Sequence, residues 1–463
     1  MSDWSENGAV ALLRQFEAGS LSAVDYAGEV VKRIDENAAL NAVGCFDAEI
    51  FVKQARMADD KRAKGEAGNL CGLPLIIKDN INTTLYPTTG GTGALQGHTP
   101  QSNAGVIDNL VNADAIVGAK AGMHELAFGI TSNNAVTGAI RNPYDPTKIP
   151  GGSSGGTAAA IAAGIFPAGL GTDTGGSVRI PAALCGIVGF RPTTGRYSGE
   201  GIVPISHTRD TAGAMARCVD DVMLLDSVLR GQHQHIQTPN LNNVRLGVPR
   251  AVFFDNLETE VETAVADNLR ILESAGATLV DVGFDRIWPH NEAFGFPVVF
   301  YEVMRDLPDY LAKYAPDVTF DTLFENIGSP DVTGAIGSQR GDEAMPESAY
   351  RAAIDVHRPA MRVIYEDVFR ANNLDAIAFP TTPLRASDIG QDETVELNGE
   401  QVPTFLTYIR NTDLASNLGV PGISIPCRNV TGLPVGIEFD GLAGKDAELL
   451  GLAKAAETVL SNF

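Results

Sequence analysis

Apolar residues recur at helical spacing from Ala9 to Phe16 and again from Ala23 to Ile34, with polar faces between them. That pattern predicts an N-terminal pair of helices, with Ser20 and Ser22 as candidate N-caps between them. From Leu70 the texture changes. Leu73–Ile77, Ala115–Ala119 and Gly186–Phe190 are short apolar runs of strand length, and Ala158–Gly164 reads as a buried helix closed by glycine. Val244–Pro249 and Ala376–Pro380 again read as strands, with an amphipathic helix over Glu258–Ala275 between them. Strands alternating with helices predict an α/β layered fold whose sheet is mixed or mostly parallel. Residues 285–365 read as mainly helical and aromatic-rich, a substrate-side cap and not an independent domain. Gly231–Asn243, polar and rich in His and Asn, is the surface-linker candidate. There is no internal repeat.

Composition narrows the class. At 463 residues and 44% hydrophobic, the chain can bury a large core, as two or three average domains or as one large one. A formal charge of −23 disfavours nonspecific binding to nucleic acid or anionic membranes, both of which need a cationic surface. Five scattered cysteines, with no C-x-x-C spacing, fit buried thiols in a reducing compartment better than disulfides or zinc. The first residues, Met1 to Glu6, are acidic and lack a secretory n-region, so a cytoplasmic location is expected. Ile149–Thr172 runs without a charge for the length of a membrane span. Its Gly-Gly pairs, paired serines, Pro150 and Pro167 make it a buried glycine-rich core segment instead.

That segment carries the chemistry. It opens on Gly151-Gly152-Ser153-Ser154-Gly155-Gly156, and Asp173-Thr174-Gly175-Gly176-Ser177-Val178-Arg179 follows directly after it. Serines between glycines in a charge-free stretch point to nucleophilic catalysis, because glycine lets backbone N–H groups approach a substrate. A phosphate cradle would place Lys after its last Gly, and none is there. Any one such serine is more often a turn or a cap. Ser177, however, precedes a segment that can begin a helix, whose N-terminal amides would face a developing oxyanion.

A serine hydroxyl needs a base. Seven histidines are available, and Gly152, Ser154 and Gly156 match G-x-S-x-G. An elbow serine should follow an apolar strand, though, whereas prolines precede this one. No His lies in the last 106 residues, where an esterase of that type places its base. Lysine is the alternative. Lys78 closes the apolar run Pro74–Ile77; at a strand end in water it would be inert, but buried it would fall from a pKa of about 10.4 towards neutrality and could accept a proton. His124 beside Glu125 would suggest a metal helix only with a second His four residues on, and residue 128 is Phe. No metal and no cofactor are expected.

Gly72-Leu73-Pro74, Lys78-Asp79-Asn80, the Gly151–Gly156 run and Gly171–Arg179, in that order and with 24 residues from Ser153 to Ser177, resemble the amidase signature family of serine amidohydrolases. The resemblance implies one large α/β/α domain over residues 1–463, its sheet mixed and mostly parallel, with the signature core at about 70–200. It implies Ser177 as nucleophile, Lys78 as base and Ser153, after a cis peptide, as the bridging serine. The amides of Thr174, Gly175, Gly176 and Ser177 would form the oxyanion hole, with Ser154, Asp173 and Arg179 in support. Met123–Asn134, Ser329-Pro330-Asp331-Val332, Arg410-Asn411-Thr412 and Asn417–Gly422 look like the branch that hydrolyses indoleacetamide and mandelamide. Other arylamide or anilide amidases, and the amidase-type component of the multisubunit glutamyl-tRNA amidotransferase, share the signature. The expected partner is a small-molecule amide, with no nucleic acid or membrane; self-association as a homodimer is left open. Phe128, Phe294, Phe296, Phe300 and Tyr301 are the candidate aryl pocket, with core packing of a helix as the equal alternative. Trp288 and His290 are weaker candidates.

Overall fold

In the computed structural model, residues 8–231, 236–342 and 344–461 are described. Met1–Glu6, part of the 231–243 linker, and His233 and His235 therefore fall wholly or partly outside them. Eleven strands form one sheet: β1 (Val43–Cys45), β2 (Pro74–Lys78), β3 (Ile116–Ala121), β4 (Ala168–Asp173), β5 (Val188–Arg191), β6 (Thr211–Ala216), β7 (Arg245–Pro249), β8 (Thr278–Val282), β9 (Ala376–Pro380), β10 (Gly422–Pro426) and β11 (Gly436–Asp440). Their spatial order is β1-β3-β2-β4-β6-β5-β10-β11-β9-β7-β8. Every residue of β2, β3, β4, β6, β9 and β11 is buried, as expected of strands covered by helices on both faces.

The sheet is mixed, as expected, but it is not mostly parallel. Four neighbouring pairs are parallel (β2/β3, β2/β4, β7/β8 and β7/β9) and the other six are antiparallel. The reason is connection length. The helices Gly105–Asn112 and Thr259–Ser274 lie between β2 and β3 and between β7 and β8, and such a crossover returns the chain in the same direction. Only the loop 427–435 joins β10 to β11, which forces the chain to reverse.

The expected N-terminal helices form at Ala9–Glu17 and Ala23–Glu36. Ser22 caps the second by accepting from the Asp25 amide; Ser20 instead bonds the Gln15 carbonyl. The described part of 285–365 is mainly helical, and its longest helix is Gly295–Tyr314. All five cysteines are free, three of them buried. Among the described residues no helix is long and apolar enough to cross a membrane.

The candidate functional site lies where β2 and β4 end. These two strands are parallel neighbours, with Leu75 opposite Ala168 and Ile77 opposite Leu170, so Lys78 and Thr172–Asp173 emerge at the same edge. The helix Gly155–Ala162 packs against both strands and starts at Ser153-Ser154, which brings the paired serines to that edge as well. The turn after β4 then carries Ser177 into the short helix Arg179–Cys185.

Candidate active site

Lys78 is fully buried, and its Nζ lies 2.7 Å from Ser153 Oγ and 2.7 Å from Thr172 Oγ1. Asn80 Nδ2 donates to the same Thr172 hydroxyl at 3.0 Å. Burial pushes the Lys78 ammonium down from its ordinary value to about 7, against the opposing pull of Asp173 and Asp210. The Gly152–Ser153 peptide is cis. Ser154 Oγ bonds the Thr172 backbone, and the Ser154 amide donates to the Ser177 carbonyl at 3.2 Å. The paired-serine loop and the Ser177 turn are thus joined directly.

Asp173 organises that turn. Its carboxylate accepts from Arg179 Nε and Nη2 at 3.0 Å each, from Arg191 Nη1 at 2.7 Å, and from the Gly176 and Val178 amides. Burial alone would raise its pKa; the two guanidiniums outweigh that and hold it well below the usual carboxylate range. Arg179 also reaches Glu438 at 2.6 Å and Ser416 at 2.9 Å, so the charge network is buried and multiply bonded.

One expectation is corrected here. The Gly176 amide is committed to Asp173 Oδ1 and is not free for a substrate. Gly176 takes φ +138°, and a Cβ there would overlap the Thr412 side chain, whose hydroxyl donates to the Gly175 carbonyl at 2.6 Å. Among the described residues, the amides of Thr174, Gly175 and Ser177 donate to no protein acceptor. Those same three residues line a cavity of about 580 Å³.

The aromatic candidates divide. Phe128, Phe296 and Phe300 line the cavity, and so does Trp288; Phe296 and Phe300 stack at 5.5 Å between centroids. Phe294 and Tyr301 do not line it. Phe294 is fully buried in a separate cluster with Phe253, Met361 and Leu414. Tyr301 stacks on Tyr350 at 4.2 Å, with the Arg305 guanidinium over its ring. Residues 294 and 301 sit on other faces of the helical stretch than 296 and 300, and a run of aromatics in sequence does not reveal which side faces the cavity. His290 packs against His357, their Nδ1 atoms 3.0 Å apart.

Sequence reasoning gave no role to Thr172, Asn80, Arg191, Glu438, Thr412 or Asp331. Arg191 carried the one available signal, a charge closing an apolar strand. His124 faces Asp331. His207, Glu302 and Asp306 bring three potential ligand atoms within 4.8 Å of one another. Glu302 there already accepts from Ser206, Thr208 and Tyr350, and His207 already pairs with Asp306.

A buried amine against a serine, a second serine turn carrying free amides, and a mixed eleven-stranded sheet beneath them define a hydrolase of amide bonds. The chain matches the Amidase family model over residues 26–450 and belongs to that family. It is 42% identical to the indoleacetamide hydrolase of Rhizobium radiobacter over 450 residues, 97% of this chain and 96% of that one. It is 41% identical to the mandelamide hydrolase of Pseudomonas putida, covering 93% of this chain and 87% of that one. A crystal structure of an amidase superposes with a TM-score of 0.88 at 34% identity, covering 98% of this chain and all of the other.

Proposed function

We propose that this amidase hydrolyses a primary carboxamide carrying an aryl group, with an arylacetamide such as indole-3-acetamide as the leading substrate, to the carboxylate and ammonia. Neutral Lys78 takes a proton from Ser153 as Ser153 takes one from Ser177, whose oxygen attacks the amide carbon. The amides of Thr174, Gly175 and Ser177 hold the oxyanion, and Asp173 with Arg179 and Arg191 keeps their turn in shape. As the tetrahedral adduct collapses, the proton returns through Ser153 to the departing nitrogen, leaving an acyl-Ser177. Water attacks that ester and gives its proton to the same relay, which returns one to Ser177 Oγ as the acyl–oxygen bond breaks and the carboxylate leaves.

The observation that carries this reading is the 2.7 Å contact between the buried Lys78 amine and Ser153. The aryl preference is supported by the rings of Phe128, Phe296, Phe300 and Trp288 around the cavity, and by the names of the relatives above. The test is a hydrolysis screen, read as ammonia from indoleacetamide, phenylacetamide, mandelamide and benzamide and as the arylamine from anilides, with hydroxylamine added to trap the acyl-enzyme as a hydroxamate. Turnover of arylacetamides that disappears in Ser177→Ala is expected. Hydroxamate formation by Ser177→Ala would remove Ser177 from its role, and turnover of anilides alone would overturn the substrate.

A further inference from the structure

The His124-Glu125 pair and the Ser329-Pro330-Asp331 segment have no part in the relay, yet they bind each other. Glu125 is buried, and its carboxylate accepts from the amides of Gly328 and Ser329, the latter at 2.8 Å. His124 is also buried. Its Nδ1 accepts from the Ser132 amide at 3.2 Å, so the ring proton resides on Nε2, which donates to Asp331 Oδ2 at 2.9 Å. The His124 amide in turn donates to the carbonyl of Ser153. One short turn beside the relay serine thus grips the 328–331 turn through two neighbouring side chains.

What this grip presents is a carboxylate. The Asp331 side chain keeps 44% of its surface exposed and lines the same cavity as Ser177, Phe128 and Phe300. Each of its oxygens accepts one bond, Oδ2 from His124 and Oδ1 from the Val332 amide at 3.0 Å, which leaves acceptor capacity on both. Apart from Glu292, the other carboxylates of the wall are less exposed than Asp331, and each is likewise held by two partners. Asp392 accepts from Thr131 and Asn133, and Asp413 pairs with Arg209 and Asn417. Glu292 lies exposed at the rim.

Building on the arylacetamide reading, we infer that Asp331 is a specificity-determining residue that accepts a hydrogen bond from a ring N–H on the acyl group, so that the cavity selects N–H heteroaryl acetamides over carbocyclic or oxygen-bearing isosteres. The aromatic walls take the faces of the ring, and the held carboxylate takes its polar edge. A site built to pair a donor discriminates strongly against an isostere that lacks it, because the acceptor is then left without a partner.

The test is a matched pair, indole-3-acetamide and benzofuran-3-acetamide, which differ at the one ring atom concerned. The expected wild-type preference in kcat/KM is about tenfold to a hundredfold for the indole, as for a hydrogen bond to a charged group. In Asp331→Ala the ratio should collapse to near one, whatever happens to the absolute rates, and in Asp331→Asn it should be intermediate. The Asn variant retains an acceptor for His124 and so remains informative if the Ala variant does not fold. A wild-type ratio near one, or a ratio unchanged in both variants, overturns the assignment while leaving the amidase reading intact. Hydrolysis of neither amide overturns the arylacetamide reading and the assignment together.

Discussion

The acid side of the pH profile should belong to Lys78. Its amine is fully buried and lowered from 10.5 to about 7, with burial the dominant cause. Only the neutral form can accept the Ser153 proton, so kcat/KM for ammonia release should rise through a single ionisation with its midpoint near pH 7. At pH 6 about a tenth of the plateau should remain, and each further unit of acid should cost about tenfold. Two carboxylates act on this amine, Asp173 and Asp210, and both favour the charged form. Asp210 bonds the Thr174 hydroxyl and is itself raised by burial to about 6, so it is still mostly charged at the midpoint. Removing its charge in Asp210→Asn should move the midpoint to lower pH.

The same burial sets a stability effect whose sign can be worked out. Below pH 7 both folded and unfolded chains carry the lysine proton, and the folded one bears the cost of a buried ammonium. A fall from 10.5 to about 7 corresponds at most to about 5 kcal/mol. As pH rises from 7 towards 10.5 the folded chain has released the proton and the unfolded chain still holds it, so stability rises and the cost fades. Lys78→Met should therefore be inactive yet more stable than the wild type, by more at pH 6 than at pH 9, as measured by urea denaturation. A flat activity profile, an optimum below pH 6, or a Met variant destabilised at pH 6 would refute the buried-base reasoning.

Three further outcomes are expected. Arg179→Met strips Asp173 and Glu438 of a shared buried partner and should lose about 3–5 kcal/mol in denaturant titration. Arg179→Lys should recover only part of this, because one ammonium cannot reproduce the two-pronged grip on Asp173. Gly176→Ala places a Cβ against Thr412 at a φ of +138°; kcat should fall at least about a hundredfold as the free amides leave register, with a smaller loss of melting temperature. Phe294→Ala and Phe300→Ala should separate core from cavity: the first should cost about 3–5 kcal/mol in stability, whereas the second should raise KM for arylacetamides with little effect on the melting temperature.

The strands that read most clearly were those built from branched side chains. Pro74–Lys78 and Ala376–Pro380 were visible because Leu, Ile and Phe in a short run between polar segments have few other uses. β4 and β6 were not, although they lie at the sheet centre and one of them delivers Asp173. Most of their residues are Gly and Ala, which have weak strand preference. Small residues are required there by close neighbours: a Cβ on Gly169 would overlap the Ile76 carbonyl of β2. That requirement comes from the partner strand, so no local window of sequence contains it.

The site shows the same division. A strand end and a glycine-flanked turn made Lys78 and Ser177 candidates for nucleophilic chemistry, whereas Ser153 and Asp173 received their expected roles only through the resemblance to the amidase signature family, whose motifs are local in sequence. Sequence could not say that the Gly176 amide turns to Asp173, that Arg191 and Glu438 join the buried charges, or that Phe294 faces the core while Phe296 and Phe300 face the cavity. Which way an amide or ring points is settled by what packs against it from segments tens to hundreds of residues away. Local chemistry thus determined which groups can react, and tertiary packing alone decided how they are aimed, how far they are dehydrated and which ligand shape they enclose.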